Sequence, residues 1–377
     1  MRLQHPARPS QTFLYWDKRD RYLYLTARFL ASAEAPLTII TPGQRAIGIR
    51  EYLLQYETYG RLAFSEPHVH ISPHFPQERH DATLVTSQAM RKECGEGWKH
   101  VVIIEEDLSC SVSATNCWKM PYGMHPLVYH LHQDRQLEKL RQTPRTVRLF
   151  FAGNVALSPY ATSRSMRLLG ERFGLISRPR AILTLLEKIP DDITLLYAPP
   201  DFDALALQHT SQSVLPQTNK LVMALDPLSR ISFAQWLPTL AHCDVFLTLP
   251  GISMPFSHNA VEAMAMGCIP LTNYGEWFDP PLEHMQTCIA FTDEADLVDK
   301  ARMVLAMDEN TLRTMRAKVV TYYEQYLAPE TFGQNFRNYL SQSSTETMLL
   351  INTENAEFFA RVTAHSLVFQ PCRQQHP

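Results

Sequence analysis

Short apolar runs alternate with amphipathic stretches along most of the chain. Runs of four or five residues read LTIIT at Leu37–Thr41, VVII at Val101–Ile104, VRLFF at Val147–Phe151, ITLLY at Ile193–Tyr197, VFLTL at Val245–Leu249 and CIPL at Cys268–Leu271. Each is bounded by turn residues and followed by a helical pattern. Such runs, too short for helices and rich in β-branched residues, predict buried parallel strands. Between them Arg178–Lys188, Phe233–His242 and Glu294–Met307 carry apolar residues at helical spacing. Strands alternating with helices predict an α/β fold of parallel sheets.

The chain has 377 residues, enough for two domains that each bury a core. Lys119–Thr146 carries three prolines and a charged segment, and ends just before VRLFF. It reads as a hinge, with a boundary near residue 140. The expected division is a Rossmann-like domain over 1–140, a second over 141–340, and a helical tail over 341–377. In that tail ENAEFFARVTAHSLVF is amphipathic and is expected to pack back on the first domain. Ligands of such sheets gather at the carboxyl ends of the strands, and two facing domains would leave a cleft there. The loops of interest are therefore TPGQR after LTII, EEDLS after VVII, AGN after RLFF and PGISMPFSHN after VFLTL.

Composition removes several alternatives. A net charge of −3 with mixed signs gives no basic field for nucleic acid or an anionic membrane. The seven cysteines are scattered without a C-x-x-C pair, which predicts free thiols in a reducing compartment. The amino-terminal segment MRLQHPARPSQTFLYW lacks an apolar signal core, and no run approaches the ~20 residues of a membrane helix. A cytoplasmic location follows as the expectation. There is no G-x-S-x-G, no G-x-x-x-x-G-K-[ST] and no G-x-G-x-x-G, so hydrolase, P-loop and dinucleotide readings lose their support. His68, His70, His74 and His80 cluster in HVHISPHFPQERH without a known metal-ligand spacing, and suit a strand edge and loop. No metal and no cofactor are expected.

The stretch FSHNAVEAMAMGCIPLTNYGEWFDPP, Phe256 to Pro281, concentrates the chemistry. Ser257 or Asn259 can cap a helix beginning near Ala260, with Glu262 in its first turn. Small residues allow close packing, and Gly267 ends the helix before the strand CIPLT. A helix start directly after a buried strand also offers backbone N–H groups to an anion. A carboxylate one turn in can accept two bonds from vicinal hydroxyls. Phosphate at the N–H groups and ribose at the acid would make a nucleotide-sugar site.

GISMPFSHNAVEAMAMGCIPLTNYGEWFDP resembles the donor-binding segment of glycosyltransferases with the GT-B fold, and is most similar to the exostosin-like pattern. The matching elements are Pro250-Gly251, Ser257, Glu262-Ala263 and Gly267-Cys268-Ile269-Pro270. HCDVFLTLPG resembles that family's strand into the loop, RLFFAGN the opening strand of its second domain, and PYGMHP the interdomain connection. The similarity covers roughly residues 145 to 325. Two positions depart from it: the family's arginine between Ser and Glu is replaced by Asn259 or shifted to His258, and Met254 stands where many retaining enzymes carry a second acid.

The resemblance implies two Rossmann-like domains facing a cleft, and metal-independent transfer of a sugar from a nucleotide-sugar donor to a hydroxyl of a glycan or glycoconjugate. A membrane-bound acceptor would bring only peripheral contact. Donor contacts would come from Gly153, Asn154, Arg164, Arg180, Gly251, Ser257, His258, Asn259 and Glu262, with Arg178 a further candidate. The base that takes the acceptor proton would come from the first domain, where Glu105, Glu106 and Asp107 follow VVII and Asp17 stands in YWDKRD. Ordinary loop acids and solvated arginines are the plain alternatives at each position. Two other functions fit: a non-catalytic nucleotide or carbohydrate binder on a degenerate scaffold, and a nucleotide-sugar epimerase.

Overall fold

In the computed structural model, residues 11–17, 21–31, 36–41, 62, 66–110, 116–132, 134–196, 218–226, 231–342 and 346–370 are described. They form two compact units, each built on one wholly parallel sheet with helices, an α/β fold. The TPGQR loop beyond Thr41 lies outside the described residues, as does Tyr197.

The first unit opens with β1 (Thr12–Tyr15), α1 (Arg21–Ala31), β2 (Leu37–Ile40), β3 (Val69–Ser72), β4 (Thr83–Ser87), β5 (His100–Glu105) and β6 (Cys117–Lys119). β1 and β2 are buried along their whole length, which explains why β2 reads as the unbroken run LTIIT rather than an alternating one. Beside β1, Phe13, Tyr15, Leu84 and Cys94 pack with Phe75 and Trp98 into one cluster.

The chain passes to the second unit at Tyr122. This is earlier than the boundary expected near residue 140. The stretch read as a hinge instead folds into α2 (Pro126–Leu131) and α3 (Asp134–Arg141). Their residues Val128, Tyr129 and Leu137 are buried, and apolar burial outweighs the breaking tendency of Pro121, Pro126 and Pro144. Pro126 opens its helix, where the missing N–H costs nothing.

The second unit continues with β7 (Val147–Asn154), α4 (Leu157–Thr162), α5 (Arg164–Phe173), α6 (Arg178–Lys188), β8 (Ile193–Leu196) and β9 (Thr218–Asp226). Then come α7 (Phe233–Ala241), β10 (Cys243–Leu247), α8 (His258–Ala265), β11 (Ile269–Thr272), β12 (Ile289–Ala290), α9 (Glu294–Leu305) and α10 (Glu309–Tyr322). Strand order is β12-β11-β10-β7-β9-β8. Gly267 ends α8 at φ 74°, and a Cβ there would lie 2.9 Å from Val320 Cγ2, so both conformation and space require glycine.

The carboxyl-terminal stretch divides between the units. α11 (Pro329–Gln342) returns to the first unit and packs Phe332 against Phe29 of α1, ring centroids 5.4 Å apart. β13 (Thr347–Leu350) then inserts between β5 and β6, completing the order β3-β2-β1-β4-β5-β13-β6. The amphipathic helix expected on the first domain is α12 (Ala356–Arg361), and it packs in the second unit. Phe359 is buried near Trp277, and Arg172 of α5 donates to the carbonyls of Phe359 and Val362. Helical periodicity marks an apolar face but does not say which sheet receives it.

Candidate functional site

β7 lies between β9 and β10, and the chain leaves it toward β9 and β8 before returning on the β10 side. That reversal is a topological switch point, where loops diverge and open a crevice at the carboxyl ends of the strands. β7 ends there with Gly153 and Asn154, and Pro250–Gly251 follow β10. Both glycines are closely approached, Gly251 by backbone and Gly153 by the end of a flexible side chain. A Cβ on Gly153 would lie 3.1 Å from Arg178 Nη1, and one on Gly251 3.1 Å from the Phe256 carbonyl. Asn154 uses its Oδ1 to accept from the Ala156 N–H at 2.8 Å, shaping the turn into α4.

Of the arginines that the sequence offered, the structure brings Arg178 to this crevice. It opens α6, whose preceding Ser177 makes no side-chain cap, and its Nε donates to the Leu249 carbonyl at 3.3 Å. Among the described residues it has no other hydrogen bond and no carboxylate within ion-pair distance. Arg164 and Arg180 instead form exposed pairs with Glu357 and Glu294. The spacing of SRPRA gave no means of telling Arg178 from Arg180, because only the register of α6 against the sheet does so.

Two buried hydroxyls lie on neighbouring loops of the same sheet edge, and one of them, Tyr274, is close enough to Arg178 to feel its charge. The hydroxyl of Tyr274, fully buried after β11, makes no hydrogen bond of good geometry among the described residues, with the Thr248 and Thr272 hydroxyls its nearest polar neighbours. Burial pushes its phenol up to about 12, and the Arg178 charge works in the opposite sense. Ser257 Oγ is likewise buried without a partner. A buried polar atom without a protein partner can have its bonding completed by water or by a ligand.

The helix behind Ser257 departs from its expected details. α8 begins at His258, so Glu262 is its fifth residue and not part of the first turn. Ser257 occupies the cap position without a side-chain bond, and Asn259 does not cap; its Nδ2 donates to the Ala152 carbonyl of β7 at 3.1 Å. His258 Nδ1 lies 2.8 Å from the Gly123 carbonyl, Nε2 lies 3.3 Å from the Tyr122 hydroxyl, and the two rings stack at 4.7 Å. Both imidazole nitrogens thus meet the segment that enters the unit.

Glu262 is 2% exposed. Its Oε1 accepts from the His125 N–H at 2.8 Å, and its Oε2 from the Trp236 indole N–H at 2.5 Å. Among the described residues no cation pairs with it. Burial raises its carboxyl from 4.5 to about 7, against the two hydrogen bonds, which favour the charged form. The carboxylate that the resemblance assigns to ribose is thereby engaged by protein donors on both oxygens.

In the first unit Asp17 follows β1, and Glu106 and Asp107 follow β5, all at the carboxyl edge of that sheet. With β4 between them, β1 and β5 themselves lie about 10 Å apart. Asp17 is exposed; Asp107 accepts from the Ser109 N–H and hydroxyl at 2.9 and 2.5 Å, a turn-forming arrangement. His70 lies on β3, the edge strand, and among the described residues no three His, Cys, Asp or Glu side chains are grouped to hold a metal ion. The six described cysteines are unbridged. No described helix is long and apolar enough to cross a membrane.

No model of a protein family matches the chain, and no curated protein matches it. Among solved structures, HepE from Anabaena in complex with UDP is similar at 13% identity and TM-score 0.45, over 88% of this chain and all of the other. The trehalose-6-phosphate phosphatase N-terminal domain of Candida albicans is similar at 10% identity and TM-score 0.45, over 90% of this chain and 98% of that one. A glycosyltransferase from Rickettsia africae gives 9% identity and TM-score 0.39, over 88% and 98%.

Proposed function

We propose that the chain is a glycosyltransferase, moving a sugar from a nucleotide-sugar donor to a hydroxyl of a glycan or glycoconjugate without a bound metal. The observation that carries this reading is the Arg178 guanidinium beside Gly153 and the Leu249 carbonyl, at the carboxyl ends of β7 and β10, with no carboxylate partner among the described residues. A nucleoside diphosphate gains negative charge as its bond to the sugar breaks. A fixed cation at the start of α6 offsets that charge where it develops.

In this reading Ser257 and Tyr274 supply hydroxyls to the donor. Asp17, Glu106 and Asp107 are the candidates for the base that takes the acceptor proton as its oxygen attacks the anomeric carbon. Glu262 acts as a positioning residue, since it holds the His125 N–H and the Trp236 indole. A second reading, nucleotide binding without transfer, draws on Met254, a fully buried apolar residue where an acid would be expected.

Calorimetric titration with UDP, GDP, CMP and their sugar conjugates tests both. UDP comes first, as the nucleotide in the HepE complex. One nucleoside diphosphate is expected to bind, and Arg178→Ala to weaken it by at least about tenfold, the loss of one charge-assisted contact. If no nucleotide binds, the transferase reading is wrong. Binding with a sugar conjugate left intact in the presence of varied acceptors would favour the second reading.

A further inference from the structure

At the opposite edge of the second sheet lies a cavity of about 360 Å³, lined in part by Arg141, Thr143, Arg145, Gly267, Glu309 and Arg316. It adjoins the start of β7, about 20 Å along the strand from Gly153. Its charges do not cancel. Arg316 pairs with Asp244 and, at 3.0 Å, with Glu309; Arg148 lies 3.5 Å from Asp244 and 3.7 Å from Glu309; Arg141 meets Glu324 at 2.5 Å. Glu309 and Glu324 are half exposed, so water screens their contribution. Arg145 has no carboxylate partner among the described residues.

Part of this cluster is explained by the fold. Arg141 donates to the Ala265 carbonyl at 2.7 Å, and Arg145 to those of Cys243 and Met266 at 2.7 and 2.6 Å. These bonds satisfy carbonyls at the end of α8 and the start of β10. They leave Arg141 Nη2, Arg145 Nε, Arg316 Nε and the Thr143 hydroxyl without a hydrogen bond among the described residues, and none of the four is sealed from solvent. Residues that keep spare donors and one excess positive charge, lining a space of this size, match a phosphate group with its several acceptor oxygens.

We propose that this cavity binds a phosphate-bearing anion, at a site separate from the crevice at the other edge of the sheet. The proposal does not depend on the transferase reading. It is tested by titrating inorganic phosphate and pyrophosphate into the full chain carrying Arg178→Ala, so that the crevice contributes little. Saturable binding that weakens as salt rises is expected. Adding Arg141→Gln should weaken it roughly tenfold. Adding Glu309→Gln, which removes a competing carboxylate, should tighten it by a few-fold, an effect that misfolding would not produce. Absence of saturable binding overturns the proposal, as does binding that neither substitution moves. Inorganic phosphate binding as tightly as pyrophosphate would assign the site to a single phosphate group; pyrophosphate binding more tightly would assign it to a diphosphate-sized anion.

Discussion

Two buried carboxylates of the second unit are held in opposite ways. Asp244, at the start of β10, is 4% exposed and faces the guanidinium groups of Arg316 and Arg148. Glu262, inside α8, is 2% exposed and among the described residues meets only neutral donors, one from the chain entering the unit and one from α7. Burial raises both carboxyls, but the two arginines oppose it at Asp244, whereas Glu262 rises to about 7. The first arrangement stores charge in a paired network and serves the fold. The second tolerates an acid without a counter-charge, in order to fix a backbone N–H and an indole beside the entry segment. Uncompensated groups of this kind concentrate at sites that do something besides fold.

The sharpest way to break the comparison is Asp244→Ala. It strands Arg316 and Arg148, and should cost about 3–5 kcal/mol in urea denaturation, as removal of one partner of a buried ion pair does. A loss near zero would show that solvent compensates the arginines.

Glu262→Gln should act through pH. The native carboxyl binds a proton that the unfolded one has released between 4.5 and about 7, so wild-type stability falls as pH rises across that window. The contribution is intact below the unfolded value and lost above the folded one. Relative to wild type, the variant should therefore gain about 3 kcal/mol between about pH 5 and about pH 8. A pH-independent difference would place the folded value near the unfolded one.

Trp236→Phe removes one of the two bonds that hold Glu262 ionised. It should cost about 2 kcal/mol above neutral pH and less below, and move the falling limb of stability to higher pH. Unfolding curves across the same pH series would detect the shift. Arg178→Ala should change stability least, by under about 0.5 kcal/mol, because the side chain makes one long bond to a carbonyl. Its effect is expected in ligand titration, and a large destabilisation would reclassify Arg178 as a structural residue.

Much of the architecture was legible along the chain because its cause is local. Buried strands such as Val147–Asn154 and Cys243–Leu247 announce themselves as apolar runs. Arg178–Lys188 shows its helical face, and Gly267 marks a turn only glycine fits. The bare backbone turn at Gly251 was legible for a related reason: a strand runs straight into it. The roles of Glu262, His258 and Asn259 were not, since their partners Trp236, His125, Gly123 and Ala152 lie 26 to 137 positions away.

The sequence by itself determined that parallel sheets result, and which of the most apolar segments are buried strands and which the clearest amphipathic helices, because periodicity, turn residues and glycine conformation act within a few residues; it did not reveal the two helices inside Lys119–Thr146. The tertiary structure alone decided that β13 completes the first sheet, that α12 belongs to the second unit, and that Arg178 rather than Arg164 or Arg180 stands beside Gly153. Those outcomes depend on which apolar faces find each other across long loops. Hydrophobic burial rewards any such match by area, without direction, and only the packed chain selects among them.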